Sequence, residues 1–169
     1  MTRQYKYISA DSHFESPPEV WTKRMPAEYR DRAPRRVKLA NGYDAIVTEG
    51  RPIEYGGTGM YGGVGPENFN PAILDFDNTP GCGSAEQRLK EQDADGIDAE
   101  VLFTNKAGGG VAKDKNVGLA IIRAYNDYMA EEYCAVAPGR LIPVGGIPTT
   151  GVEDAIAEME HCAKIGLKG

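Results

Sequence analysis

The chain has 169 residues, 41% of them hydrophobic and 26% charged, with a formal net charge of −6 at pH 7. That length suits one domain with a substantial core, and the acidic balance excludes the basic stripe that a nucleic-acid surface requires. No apolar run reaches the roughly 18 residues of a membrane span and the N-terminus lacks the apolar segment of a secretory signal, so a soluble cytoplasmic protein is expected.

Residues 5–10, YKYISA, read as an extended, semi-apolar run. Pro17 and Pro18 cannot continue a central strand, because neither has a backbone N–H to donate. Asp11 and His13 therefore sit where a first strand stops and a loop starts, and their spacing of two places both side chains on one face. A long Pro- and Gly-rich excursion follows, over about residues 14–83. Within it, two short β-prone runs flank Asn41-Gly42, a dipeptide suited to tight hairpins. Gly57-Thr58-Gly59-Met60-Tyr61-Gly62 is a literal GxGxxG, but no buried strand precedes it and Pro66 follows. The dinucleotide fingerprint is discarded on those grounds.

Regular alternation starts at residue 84. Ser84-Ala85-Glu86-Gln87 has capping-box spacing and predicts a helix to about Asp93. Asp95-Gly96 breaks it, and residues 99–104, AEVLFT, read as a strand. A glycine loop, 108–110, leads to a helix over about 116–136, in which Val117, Ile121, Ala124 and Tyr128 repeat at helical spacing. Pro138-Gly139 ends it, and residues 141–147, LIPVGGI, read as a third strand. Thr150-Gly151-Val152-Glu153 again has capping-box spacing and opens a helix whose expected inner face is Val152, Ile156, Met159 and Ala163. Gly166 closes it, and residues 167–169 approach a fourth strand.

Strands alternating with helices imply parallel pairing. An eight-stranded α/β barrel takes about 250 residues, whereas this chain holds about three strand–helix units plus the insertion. An N-terminal part of such a barrel, ending mid-fold, is the expectation. An open three- or four-stranded sheet is the alternative. Cys82, Cys134 and Cys162 are odd in number, far apart and without a CxxC pair, so buried free thiols are expected rather than a disulfide framework or a zinc site.

Asp11 offers a hard anionic oxygen and His13 a borderline nitrogen, a combination suited to gripping zinc or manganese. A cation held with an open position can acidify water or polarise a substrate oxygen. The plainer role for the pair is an Asx-type turn that caps the loop. Glu15 is either a further ligand, a hydrogen-bond partner of His13 from outside the coordination sphere, or an exposed loop carboxylate. The second histidine, His161, has Glu158 and Lys164 as helical neighbours and is expected to be a solvated or partly packed side chain. Phe14, Asn105 and Thr149 follow the three predicted strands and would face a barrel mouth. Trp21 and Tyr61 could line or cap a pocket, with loop packing as the plainer role.

The stretch from Ile8-Ser9-Ala10-Asp11-Ser12-His13-Phe14 to Pro17-Pro18-Glu19-Val20-Trp21 resembles the start of the amidohydrolase-related family, in the branch of aminocarboxymuconate-semialdehyde decarboxylase and related metal-dependent hydrolases. Tyr29-Arg30-Asp31-Arg32-Ala33-Pro34, Arg88-Leu89, Asp93-Ala94-Asp95-Gly96-Ile97-Asp98-Ala99-Glu100-Val101-Leu102, Ala124-Tyr125-Asn126-Asp127-Tyr128 and Pro138-Gly139-Arg140-Leu141-Ile142 are similar to later segments of that family. The likeness covers most of the chain outside 37–83. It implies a (β/α)8 TIM barrel with one divalent metal, zinc or manganese, and places Asp11 and His13 at the two ligand positions of the first strand. Many hydrolases carry HxH there, and some decarboxylase relatives carry an acidic residue first. The family's catalytic Asp would lie beyond residue 169.

Three functions follow as expectations. The leading one is a metal-dependent hydrolase in which activated water attacks an amide, lactone or related carbon, with this chain an incomplete and by itself inactive enzyme. The second is a metal-dependent non-oxidative decarboxylase of an aromatic or muconate-type acid, although no arginine sits at a predicted strand end to meet the substrate carboxylate. The third is a non-catalytic half-barrel. Its unpaired edge and apolar face would favour a homo-oligomer or a complementing barrel half. A small-molecule substrate is the partner expected of either enzyme.

Overall fold

The structure is a computed structural model, and it describes residues 4–55, 65–70, 72–104 and 112–169. Its centre is a parallel sheet of three strands in the order β1 (Ile8–Phe14), β5 (Ala99–Thr104), β6 (Leu141–Pro143). Beyond β6 the chain end joins the same ladder: Lys168 donates to the Pro143 carbonyl and Gly145 to that of Gly169. Residues 167–169, expected to approach a fourth strand, lie beside β6 through these two bonds, and the sheet itself has three strands.

Between β1 and the helix α3 (Ala85–Asp95) lies the insertion. Two short helices, α1 (Glu19–Thr22) and α2 (Ala27–Arg30), lead into an antiparallel sheet of β2 (Arg35–Lys38), β3 (Asp44–Val47) and β4 (Glu54–Tyr55). The Asn41-Gly42 hairpin forms as expected, joining β2 to β3, with Gly42 at φ 85°. That left-handed conformation is one a side chain disfavours. The insertion has a small core of its own, Ile46, Leu74, Phe76 and Cys82. The GxGxxG stretch lies outside the described residues.

α3 begins as its sequence predicts. The Ser84 hydroxyl accepts from the Gln87 amide, and Gly96 closes the helix in the left-handed region. The next helix, α4 (Lys115–Tyr128), is capped by Asp114, whose carboxylate accepts from the amides of Asn116 and Val117. Past Tyr128 the helix widens into a π-helical turn at Met129–Tyr133 and tightens to a 3-10 turn at Cys134–Val136. Met129, Tyr133 and Cys134 are thereby carried into the main core, which joins Phe14, Trp21, Leu102, Val117, Ile121, Tyr125 and Leu141 between the sheet and the helices.

The last helix, α5 (Val152–Ile165), departs from the expectation in two ways. No side chain caps its start; the Thr150 hydroxyl donates to Asp154 instead. Its apolar stripe does not face inward: Val152 is 70% exposed, Ile156 51% and Met159 58%, and Ala163 is exposed too. The buried residues are Glu158 and Cys162. Glu158 meets Arg123 and Asn126 of α4, and these polar partners choose the face that packs. All three cysteines are buried thiols outside any disulfide, as expected.

Candidate metal centre

The parallel pairing of β1 with β5 is interrupted. Ser9 lies opposite Glu100 and Ser12 opposite Leu102, so Ala10 and Asp11 together oppose Val101. This is a β-bulge, one extra residue in one strand. Because side chains alternate with a period of two, an inserted residue reverses which face every later side chain occupies. Ser9 and Ser12 consequently point the same way despite an odd spacing, and their hydroxyls meet at 2.7 Å. Phe14 follows Ser12 to the helix side, and Asp11 and His13 take the opposite face.

There the Asp11 Oδ1 and His13 Nε2 atoms stand 3.5 Å apart, with the two side chains 85% and 52% exposed. The His13 ring lies 6.2 Å from that of Phe103, its partner on β5. A hard anionic oxygen and an imidazole nitrogen thus converge at the C-terminal ends of parallel strands, where α/β barrels carry their chemistry. The donor set fits two of a cation's ligands. Among the described residues no third His, Cys, Asp or Glu joins them.

Below the bulge, on the helix side, a buried polar network has formed that the sequence reading missed. Arg88 of α3 grips Glu100 of β5 through Nε to Oε2 at 2.7 Å and Nη2 to Oε1 at 3.1 Å. Its Nη1 donates to the backbone carbonyls of His13, at 3.0 Å, and Gly81, at 2.8 Å. Gln92 adds a bond to Glu100 Oε2 at 2.6 Å, and the Ser12 hydroxyl one to Oε1 at 3.0 Å. Burial by itself would raise the Glu100 carboxyl, but hydrogen bonds from Arg88, Gln92 and Ser12 outweigh it and hold the group below the usual glutamate value. Burial pulls the other way on Arg88, where the bonds to Glu100 raise the pKa. The available signal was a glutamate inside an otherwise apolar strand, AEVLFT, twelve residues after an arginine on a helix.

Other expected site residues fall elsewhere. Phe14 is only 2% exposed and packs edge-on against Tyr133, with centroids 4.4 Å apart, and beside Tyr125 and Tyr128. Its expected place at a barrel mouth is corrected: the bulge turns it into the core. Trp21, 3% exposed, stacks edge-on with Tyr125 and is likewise core. Thr149 is exposed, after β6, and Glu15 is half-buried beyond β1. Asn105 and Tyr61 lie outside the described residues. His161 pairs with Asp127 of α4 at 2.6 Å, a helix-to-helix contact far in sequence from the strand ends, which explains that histidine structurally.

No family model matches the sequence. Two gamma-resorcylate decarboxylases, from a Rhizobium sp. and from Rhizobium radiobacter, are each 32% identical over 77 residues, which is 46% of this chain and 23% of theirs. An amidohydrolase from Mycobacterium avium subsp. paratuberculosis superposes with a TM-score of 0.69 at 16% identity, over 98% of this chain and 48% of its own. A 2,6-dihydroxybenzoate decarboxylase complexed with 2,6-dihydroxybenzoate gives 0.50 at 21% identity, over 97% of this chain and 38% of its own. A dihydroxybenzoic acid decarboxylase from Polaromonas sp., with bound manganese and the inhibitor 2-nitroresorcinol, gives 0.50 at 19%, over 97% and 37%. The resemblance to the amidohydrolase-related family is borne out in these relatives. The chain spans less than half the length of each.

Proposed function

We propose that this chain is the N-terminal part of a metal-dependent (β/α)8 carboxy-lyase of the amidohydrolase superfamily, with Asp11 and His13 as two donors to one divalent cation, manganese or zinc. The observation that carries the proposal is the convergence of those two groups, 3.5 Å apart, at the ends of the parallel strands. The identity to gamma-resorcylate decarboxylases supports the reaction type, and the manganese in the Polaromonas protein supports the choice of cation. An acidic residue in place of the first histidine also suits the decarboxylase relatives that the sequence resembles.

When bound, the cation supplies a Lewis acid that orients an oxygen of a hydroxylated aromatic acid. The chain's own residues define the rest of that environment. Asp11 contributes negative charge and His13 an uncharged nitrogen, so the pair leaves a divalent ion with net positive charge for an anionic substrate. Phe103 sets an aromatic ring beside His13 against which a substrate ring can lie. Arg88 is committed to Glu100 and two carbonyls behind the sheet and does not meet the substrate carboxylate. In the reaction, the ring carbon takes up a proton and its bond to the carboxylate breaks. The electron pair of that bond restores the aromatic ring, and carbon dioxide leaves.

A second reading, hydrolysis of an amide or lactone carbon, is favoured by the fold match of 0.69 to a protein described as an amidohydrolase. Assays of the full-length protein with manganese separate the two. Carbon dioxide released from 2,6-dihydroxybenzoate supports the carboxy-lyase. A new carboxylate from an amide or lactone, with no carbon lost, supports the hydrolase. In either case one equivalent of metal is expected in the purified protein, and its retention after Asp11→Ala with His13→Ala overturns the ligand assignment.

A further inference from the structure

The bulge in β1 does more than bend a strand. Ser9, on the helix side, pairs with Glu100. Were β1 to continue from Ser9 without the extra residue, strict alternation would send Asp11 and His13 toward the helices as well. Ser12 and Phe14 would then emerge on the opposite face. Which face receives the two candidate ligands is therefore decided by a single inserted residue.

Four side chains hold that insertion in place. Ser12 has one hydroxyl proton, and it goes to Glu100; Ser9 must then donate to the Ser12 oxygen. Glu100 accepts from Ser12, from Gln92 and twice from Arg88, which fills about the four sites a carboxylate offers. Arg88 also reaches the carbonyl of His13, on the far side of the bulge from Ser9. The strand is thus tied before the insertion through Ser9 and after it through Ser12 and His13, and every tie leads to the Arg88–Glu100 pair. With side chains only 8% and 14% exposed, that pair is costly to leave unmatched, so a register that breaks these bonds is penalised. Burial of Phe14 favours the same register, but an apolar side chain does not fix where the two ligands lie to within a fraction of an ångström.

We propose that Ser9, Ser12, Glu100 and Arg88 form a register pin. As positioning residues, they turn Asp11 and His13 onto the open face and hold their donor atoms at binding separation. The inference rests on the metal-site reading for its affinity arm and is independent of it for its structural arm.

The test uses the full chain with Mn2+ alone as probe and three variants. Ser12→Ala removes both hydroxyl bonds that span the bulge, the one from Ser9 and the one to Glu100, and leaves Arg88 on Glu100 and on the His13 carbonyl; Ser12→Thr keeps the hydroxyl; Glu100→Gln removes the charge that Arg88 meets. Gly145→Ala serves as a stability control, because its new Cβ would fall 2.8 Å from Cys162 Sγ, away from β1. Mn2+ affinity, read from the free-ion EPR signal, is expected to fall about 10-fold or more in Ser12→Ala and Glu100→Gln. It should recover in Ser12→Thr and stay unchanged in Gly145→Ala. Without metal, NMR is expected to show a proton contact between the His13 and Phe103 rings that weakens in Ser12→Ala and Glu100→Gln only.

Affinity within about twofold of the native chain and an intact ring contact in folded Ser12→Ala overturn the proposal. If Asp11→Ala with His13→Ala leaves Mn2+ binding untouched, the metal reading falls, and the ring contact alone decides the pin. Should Glu100→Gln not fold, Ser12→Ala against Ser12→Thr carries the comparison.

Discussion

The Asn126 side chain clasps Gly146 at both of its backbone polar groups: Nδ2 donates to the Gly146 carbonyl at 2.9 Å, and Oδ1 accepts from its amide at 2.8 Å. The same Nδ2 reaches Glu158 Oε1 at 2.8 Å, so one fully buried carboxamide joins α4, α5 and the segment after β6. Asn126→Ala strands a buried amide, a carbonyl and part of a carboxylate at once. Each such loss costs about 1–3 kcal/mol, and a total of about 3 kcal/mol or more is expected from urea unfolding. Lys23→Ala, which removes an exposed ion pair with Glu132, should cost about 0–1 kcal/mol. Equal effects from the two substitutions would contradict the assignment of the clasp as a structural hub.

Acid should attack the Glu100 network. The folded value of this carboxyl lies below its ordinary 4.5. Folding therefore favours the ionised form, and the contribution is fully present above about pH 4.5 and lost as pH falls through the lowered folded value. Asp44, Asp114 and Asp154 are lowered as well and share in the acid loss. The difference between native chain and Glu100→Gln isolates one group: a stability gap that is widest at neutral pH and narrows below about pH 4.5. A gap constant from pH 7 to pH 3 would rule out Glu100 as an ionised member of the network.

The thiols should be silent in the native protein. Burial pushes the Cys134 thiol up to about 12 and the Cys162 thiol up to about 11. At pH 8 a group with a pKa near 11 is about 0.1% thiolate, the only form that reacts readily with disulfide reagents. Ellman's reagent is expected to label the folded chain slowly and to find all three thiols in urea. Rapid labelling of Cys134 or Cys162 before unfolding would show that the cores around them open easily.

What the sequence determined by itself was local. Ser84 and Gly96 bound α3 because a hydroxyl cap and a left-handed glycine act within one helical turn. Asn41-Gly42 marks a hairpin for the same reason, and the alternation of strands and helices is written in side-chain periodicity. Asp11 and His13 share a face at a spacing of two wherever the strand between them alternates regularly. Tertiary structure decided which face that is, because it depends on a bulge measured against Glu100, some ninety positions downstream. The same pairing hid Phe14 in the core, and Glu158 turned the apolar stripe of α5 outward by finding Arg123 and Asn126. Each of these outcomes belongs to a contact between segments distant in the chain, and the pattern within one segment carries no record of its partner's register.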